Sequence, residues 1–136
     1  PLSDTEIKWR QTARDFAKNE VAPLARKMDE DSKMEPKLIA RMAELGLLGA
    51  AMPNEYDGSS ASALSLALIY EELGCACSSV RGFMTVHSSL VMACINQQGS
   101  ETQKKKYLPK LAKAEMIGCY CLTEPEAGSD AANIRT

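Results

Sequence analysis

Apolar residues recur along most of this chain at three- and four-residue intervals, the period of an amphipathic helix. Trp9, Ala13, Phe16, Ala17, Val21, Leu24 and Met28 share one helical face, and Arg10, Arg14, Lys18 and Arg26 lie largely off it. Ser3-Asp4-Thr5-Glu6 reads as a capping box that opens this segment. In that motif the serine and glutamate side chains each satisfy an otherwise orphaned backbone N–H. Pro23 removes one intrahelical hydrogen bond, so a kink or restart is expected near Asn19. The charged cluster Asp29–Lys33 ends the helix.

Glu35-Pro36 opens a second, shorter helix, with proline in the first turn, where its missing N–H costs nothing. Leu38, Ile39, Met42 and Leu45 form its apolar side and Gly46 stops it. Leu47–Pro53 is apolar, broken by glycine and ended by proline, which predicts a buried extended connector. A third helix spans Ala61–Leu73, with Leu64, Leu66, Ala67, Leu68, Ile69 and Leu73 covering most of its circumference; Gly74 is expected to end it. Ser78 or Ser79 caps a fourth helix reaching about Gln97. Phe83, Met84, Val86, Leu90, Val91, Ala93, Cys94 and Ile95 make it apolar nearly all round, the signature of deep core or a pocket wall.

Ser100-Glu101-Thr102-Gln103 is a second capping box. Behind it, Tyr107, Leu108, Leu111 and Ala112 face inward from a fifth helix, and Pro109 predicts a further kink. Lys104, Lys105, Lys106, Lys110 and Lys113 read as its solvated face. The periodicity then changes. Met116–Leu122 is apolar and β-prone and predicts a strand, halted by Pro125. The fold class is therefore mainly α: a five-helix bundle over residues 1–115, then the start of a β-domain over 116–136.

Composition adds exclusions. Net charge is −2, with 45% apolar and 25% charged residues. Nothing attracts the whole chain to nucleic acid or an anionic membrane, and no apolar run is long enough for a membrane span. The start, Pro1-Leu2-Ser3-Asp4, lacks the pattern of a signal peptide. Five cysteines, two pairs of them in C-x-C spacing, and a single histidine make a poor metal set. The expectation is no metal, and reduced cysteines packed as small hydrophobes.

The candidate chemistry lies at the end of the chain. A strand end delivering Thr123-Glu124-Pro125-Glu126-Ala127-Gly128-Ser129-Asp130 offers free backbone N–H groups and two hydroxyls. Gly128 and Ser129 can present successive N–H groups to a phosphate as a nest. On turn composition alone, a β-turn that merely caps the helices is the preferred reading.

Leu122–Asp130 closely resembles the flavin-binding signature of the acyl-CoA dehydrogenase family: an apolar residue, Ser or Thr, Glu, two variable residues, a small residue, Gly, Ser or Thr, and Asp. Pro53-Asn54-Glu55-Tyr56-Asp57-Gly58 resembles the family's P-x-x-Y-G-G loop. Gly99–Lys104 and Tyr107-Leu108-Pro109 resemble its fifth-helix entry. The likeness covers the whole chain. It implies FAD as cofactor, contacted by Tyr120, Leu122, Thr123, Gly128 and Ser129, with Ser129 also against an acyl thioester.

The resemblance further implies α,β-dehydrogenation, in which a carboxylate base takes the α-proton while the β-hydrogen leaves as hydride to flavin N5. That base belongs to a C-terminal helical domain without counterpart here. Glu71, Glu72 and Glu124 do not match it, so no catalytic residue is assigned. An unpartnered strand is not a stable sheet. A longer polypeptide or other chains are therefore expected to complete the fold, and these 136 residues alone are not expected to turn over.

Two departures stand out. Asp57 replaces a glycine common in the family, so a different loop backbone is expected there. Glu126 adds charge near the proposed pyrophosphate and is expected to face solvent. On the fourth helix, His87 reads either as a histidine satisfied by a neighbouring helix or, with Arg81 and Thr85, as part of a pocket for a short or polar acyl group. The run Arg81–His87 also resembles dehydrogenases of carrier-protein-tethered acyl groups in polyketide extender-unit synthesis.

The alternatives are a non-catalytic helical binding module and a flavoprotein with another electron acceptor. Expected partners are an acyl-CoA or acyl-carrier-protein thioester, an electron-acceptor flavoprotein, and further copies of the chain as a homodimer or homotetramer. The expected location is the cytoplasm, or the mitochondrial matrix for a eukaryotic chain whose transit peptide has been removed.

Overall fold

The computed structural model describes residues 1–136. Five helical rods pack into a bundle. The first comprises α1 (Asp4–Phe16), a π-helical stretch (Ala17–Val21) and α2 (Ala22–Glu30). The second is α3 (Pro36–Glu44) and the third α4 (Ala63–Ala76). The fourth comprises α5 (Ser78–Met84), a second π-helical stretch (Thr85–Met92) and α6 (Ala93–Gln98). The fifth is α7 (Glu101–Ala112).

Both capping boxes form, at Ser3/Glu6 and Ser100/Gln103. The expected irregularity before Pro23 takes the form of a π turn: the N–H of Ala22 reaches back five residues to the carbonyl of Ala17. Proline cannot bond the carbonyl of Asn19, and widening the ladder by one residue keeps the rod continuous. Gly46 ends the second rod in the left-handed region, at φ 71°.

The main core gathers Phe16, Val21, Leu38, Met42, Leu47, Leu48, Ile69, Leu73, Val80 and Met84, all nearly or fully buried. These residues come from four rods and from the connector after α3. A smaller cluster of Met52, Tyr56, Met92, Leu108, Leu111 and Ala112 joins the connector, the fourth rod and α7.

Several expectations are corrected. Leu47–Pro53 is buried as predicted, but as a series of turns rather than extended chain; Met52 N–H bonds the carbonyl of Gly49 at 3.0 Å. Turns pair backbone groups locally, which burial demands. The third rod runs through Gly74 to Ala76. Cys77, extended at φ −161°, makes the break, and neither Ser78 nor Ser79 caps the fourth rod. Leu64 is 48% exposed, so α4 is central on one side only. Cys75, Cys94, Cys119 and Cys121 are exposed, on outer faces or uncovered chain, and only Cys77 packs against the main core; all five are free.

The largest correction concerns Met116–Leu122. No strand forms there; the only β-type pairing is the bridge between Glu124 and Ala127. An extended segment becomes a strand only when a neighbour takes its N–H and C=O groups. Nothing pairs with it, and Met116, Ile117, Tyr120 and Leu122 stand 41–53% exposed.

Candidate functional site

Three candidate residues, Arg81, Thr85 and His87, lie on the fourth rod. The hydroxyl of Thr85 donates to the carbonyl of Arg81 at 2.9 Å, at the entry to the second π stretch. A side-chain hydroxyl bonded to the carbonyl four residues back competes with the backbone ladder. At the exit, the N–H of Ala93 reaches five residues back to Ser88. The wide turns bury Met84, His87, Ser88 and Met92 while Val86 and Leu90 stay about two-fifths exposed.

Ser88 donates to the carbonyl of Leu48 at 2.8 Å, fastening the rod to the buried connector. Tyr70 on α4 and Ser89 share a hydrogen bond between hydroxyls of 2.6 Å. Burial is the main cause that raises the Tyr70 phenol above its ordinary pKa, so it is neutral at neutral pH. Arg81, half-buried nearby, enters none of the chain's ion pairs.

His87 is fully buried, and its ring is engaged on both sides. Gly118 N–H donates to Nδ1 at 3.1 Å, so Nδ1 carries no proton. Nε2 lies 3.0 Å from the carbonyl of Leu111, where only a protonated nitrogen bonds. The ring also stacks on Phe83, with centroids 5.6 Å apart. Burial pushes its pKa below the ordinary 6.5. This is the arrangement of a histidine satisfied by a neighbouring helix. No polar atom of the ring is left for a ligand.

The loop expected to hold a cofactor folds on itself. Glu124 and Ala127 exchange backbone hydrogen bonds of 2.9 and 3.2 Å around Pro125 and Glu126, and Ala127 is buried beneath the turn. The Glu124 carboxylate accepts from the hydroxyl of Thr136 and from the N–H groups of Arg135 (2.9 Å) and Thr136 (3.1 Å). Those donors hold its pKa below the usual carboxylate range. Glu126 is exposed, as expected.

Tyr120, Leu122, Thr123, Gly128 and Ser129 are all exposed. No internal acceptor takes the N–H of Thr123, Gly128 or Ser129. A Cβ built on Gly128 meets no atom within 4 Å. This donor set, with two hydroxyls and open space around Gly128, suits a pyrophosphate. No hydrogen bond links Thr123 or Ser129 to Thr85 or His87; the bond from Gly118 N–H to His87 ties the fourth rod to the chain that leads into the loop.

Sequence reasoning missed Gly118 and the Tyr70–Ser89 pair. A lone glycine inside an apolar run is a signal of close backbone approach, and Gly118 had it. The Tyr70–Ser89 pair bridges two rods and leaves no local pattern.

The chain is thus a five-rod helical domain followed by an exposed loop with free backbone donors. Residues 3–115 match the family model described as "Acyl-CoA dehydrogenase, N-terminal domain", and the chain belongs to the acyl-CoA dehydrogenase family. The short-chain specific acyl-CoA dehydrogenase of Clostridium acetobutylicum is 41% identical over 121 residues, covering 89% of this chain and 32% of that protein. The mitochondrial short-chain specific enzyme of Mus musculus is 36% identical, over 96% and 32%.

Among solved structures, butyryl-CoA dehydrogenase from Megasphaera elsdenii superposes with a TM-score of 0.92 at 32% identity, covering 100% of this chain and 36% of that one. A glutaryl-CoA dehydrogenase from Mycobacterium smegmatis in complex with FADH2 gives 0.92 at 35% identity, over 99% and 35%. The chain thus spans about a third of the length of the relatives it matches.

Proposed function

We propose that this chain forms the helical wall and the first flavin-contacting loop of an FAD-dependent acyl-thioester dehydrogenase. The observation that carries the proposal is the state of the signature loop. Its glycine and hydroxyl residues stand with uncommitted N–H groups, while its acidic side chains are turned to other work or to solvent. FAD, when bound, supplies a two-electron acceptor for the hydrogen leaving the substrate's β-carbon.

The chain's own residues do the rest that can be assigned to them. Gly128 and Ser129 offer N–H groups to the pyrophosphate, and the Thr123 hydroxyl and N–H are donors to the flavin ring. Tyr120 and Leu122 supply apolar surface against the cofactor. Ser129 orients the thioester. No group in this chain is assigned as the base.

A second reading concerns the substrate. Arg81 is a cation without a carboxylate partner, on the rod that carries Thr85 and beside the Tyr70–Ser89 pair. An unpaired, half-buried cation in a pocket wall favours a short or polar acyl group over a long alkyl chain. An electron-acceptor flavoprotein, self-association, and a cytoplasmic or matrix location belong to this proposal too. No helix of the structure is long and apolar enough to cross a membrane.

The experiment is purification of the protein in its full chain, followed by absorption spectroscopy and anaerobic titration with butyryl-CoA, glutaryl-CoA and the matching carrier-protein thioesters. The expected result is a flavin band that bleaches with one thioester class. A colourless protein that takes up no added FAD leaves the binding-module alternative standing instead.

A further inference from the structure

His87 is the one buried imidazole of the chain, and it sits where three elements meet. It belongs to the second π stretch. Through Nε2–H it holds the carbonyl of Leu111 in the last turn of α7, at 3.0 Å. Through Nδ1 it accepts the N–H of Gly118, at 3.1 Å, in the connector after α7, residues 113–122. Phe83 fixes the plane of the ring by stacking at 16°.

Gly118 is shaped for this contact. A Cβ there would lie 2.6 Å from Cγ1 of Val91, so only glycine lets the backbone come this close to the rod. Near α7 the segment is bonded through Ala114 N–H to the carbonyl of Leu111 (3.1 Å) and through Glu115 and Met116 N–H to that of Lys110 (2.9 and 3.3 Å), but from Cys119 to Thr123 no backbone N–H has an internal partner. Thr123 follows Gly118 by five positions. Five residues of extended chain reach at most about 18 Å, so the Gly118 anchor sets where the loop can begin.

We infer that His87 is a positioning residue for the cofactor loop: as the neutral Nε2–H tautomer it latches Gly118 to the fourth rod and thereby fixes the register at which Tyr120–Ser129 leave the helical wall. This rests on the flavin reading above for the loop's role, and on geometry alone for the latch. A leucine of similar volume fills the cavity and makes neither bond. A glutamine retains one acceptor and one donor. A protonated imidazole donates at both nitrogens and loses Gly118. The groups facing the ring are the Phe83 side chain and the backbones of Leu111 and Gly118, none of them ionisable.

The test compares His87→Leu and His87→Gln with wild type, in the full chain, by hydrogen exchange with peptide resolution and by titration with free FAD. In His87→Leu, those amides of residues 114–118 that have internal partners should exchange about tenfold faster, the scale of one or two lost hydrogen bonds, with α1 and α4 unchanged. FAD affinity should fall by a similar factor, and His87→Gln should restore most of both. A His87→Leu protein whose connector exchanges like wild type overturns the latch, whether or not FAD binds. Faster exchange with unaltered FAD affinity overturns the positioning role. A wild-type protein that takes up no FAD overturns the flavin reading alone, and the exchange result still decides the latch.

Discussion

The carboxylate of Asp57 meets the ammonium of Lys113 at 2.6 Å, tying the loop before α4 to the end of α7. Asp57 is itself left-handed, at φ 61°, so it adopts the backbone conformation that the family's glycine adopts freely. Aspartate is one of the few residues that visit this region routinely. Both side chains are about half exposed, and exposed ion pairs contribute little. Backbone conformation should therefore dominate at this site. Asp57→Gly is expected to melt within about 3 °C of wild type. Asp57→Ala forces a left-handed alanine, a cost of roughly 1–2 kcal/mol, and should melt several degrees lower than Asp57→Gly. Equal thermal midpoints for the two variants would sink the argument.

Gly118→Ala is expected to destabilise the chain by roughly 1–3 kcal/mol, the usual scale of overpacking. The new methyl meets the Val91 side chain at 2.6–3.2 Å. Combining it with Val91→Ala removes the obstruction. Denaturant melts of both single variants and the double should then show an interaction energy rather than simple addition. Strict additivity would mean that the two residues do not touch in solution.

His87 predicts a pH dependence of definite sign. Its folded pKa is depressed by burial, so the neutral form is the one the fold prefers. The stability that this contributes is fully present above the unfolded value of about 6.5. It is lost as pH falls through the lower folded value. Wild type minus His87→Gln stability, measured by urea melts between pH 7.5 and 5, should shrink towards acid. A flat difference would show that the imidazole is not held neutral.

Thr123→Val keeps the side chain's shape and removes its hydroxyl. In the full chain it should weaken FAD binding or slow flavin reduction by about tenfold, the scale of one hydrogen bond in a water-poor site. The bundle should be unaffected, since Thr123 is exposed and its hydroxyl makes no hydrogen bond within the chain. Unchanged flavin content and kinetics would remove Thr123 from the site.

The helices were legible because their determinants are local. Ser3 and Glu6, or Ser100 and Gln103, meet within a single turn. The apolar stripe from Trp9 to Met28 repeats at helical spacing and is buried largely as read. Residues of the candidate loop were legible for a different reason: their order resembles a family signature, not because their chemistry is unique. Unread were the π stretch around His87, the turns of Leu47–Pro53, and the absence of a strand at Met116–Leu122. The missing strand depends on a partner that no local pattern supplies; the π stretch and the turns rest on local bonds that apolar spacing does not reveal.

By itself, then, the sequence determined five helical rods, their caps, the break before Pro23, and the composition of a loop rich in free donors. Those are consequences of side chains acting within a few residues of one another. Tertiary structure alone decided that His87 is spent on Leu111 and Gly118 rather than open to a ligand, that Tyr70 meets Ser89, and that Asp57 meets Lys113. The contacts made by His87, Tyr70 and the Asp57–Lys113 pair span 19 to 56 positions of chain. Only packing of the rods brings such residues within hydrogen-bond range, because no periodicity along the chain encodes a single distant pair.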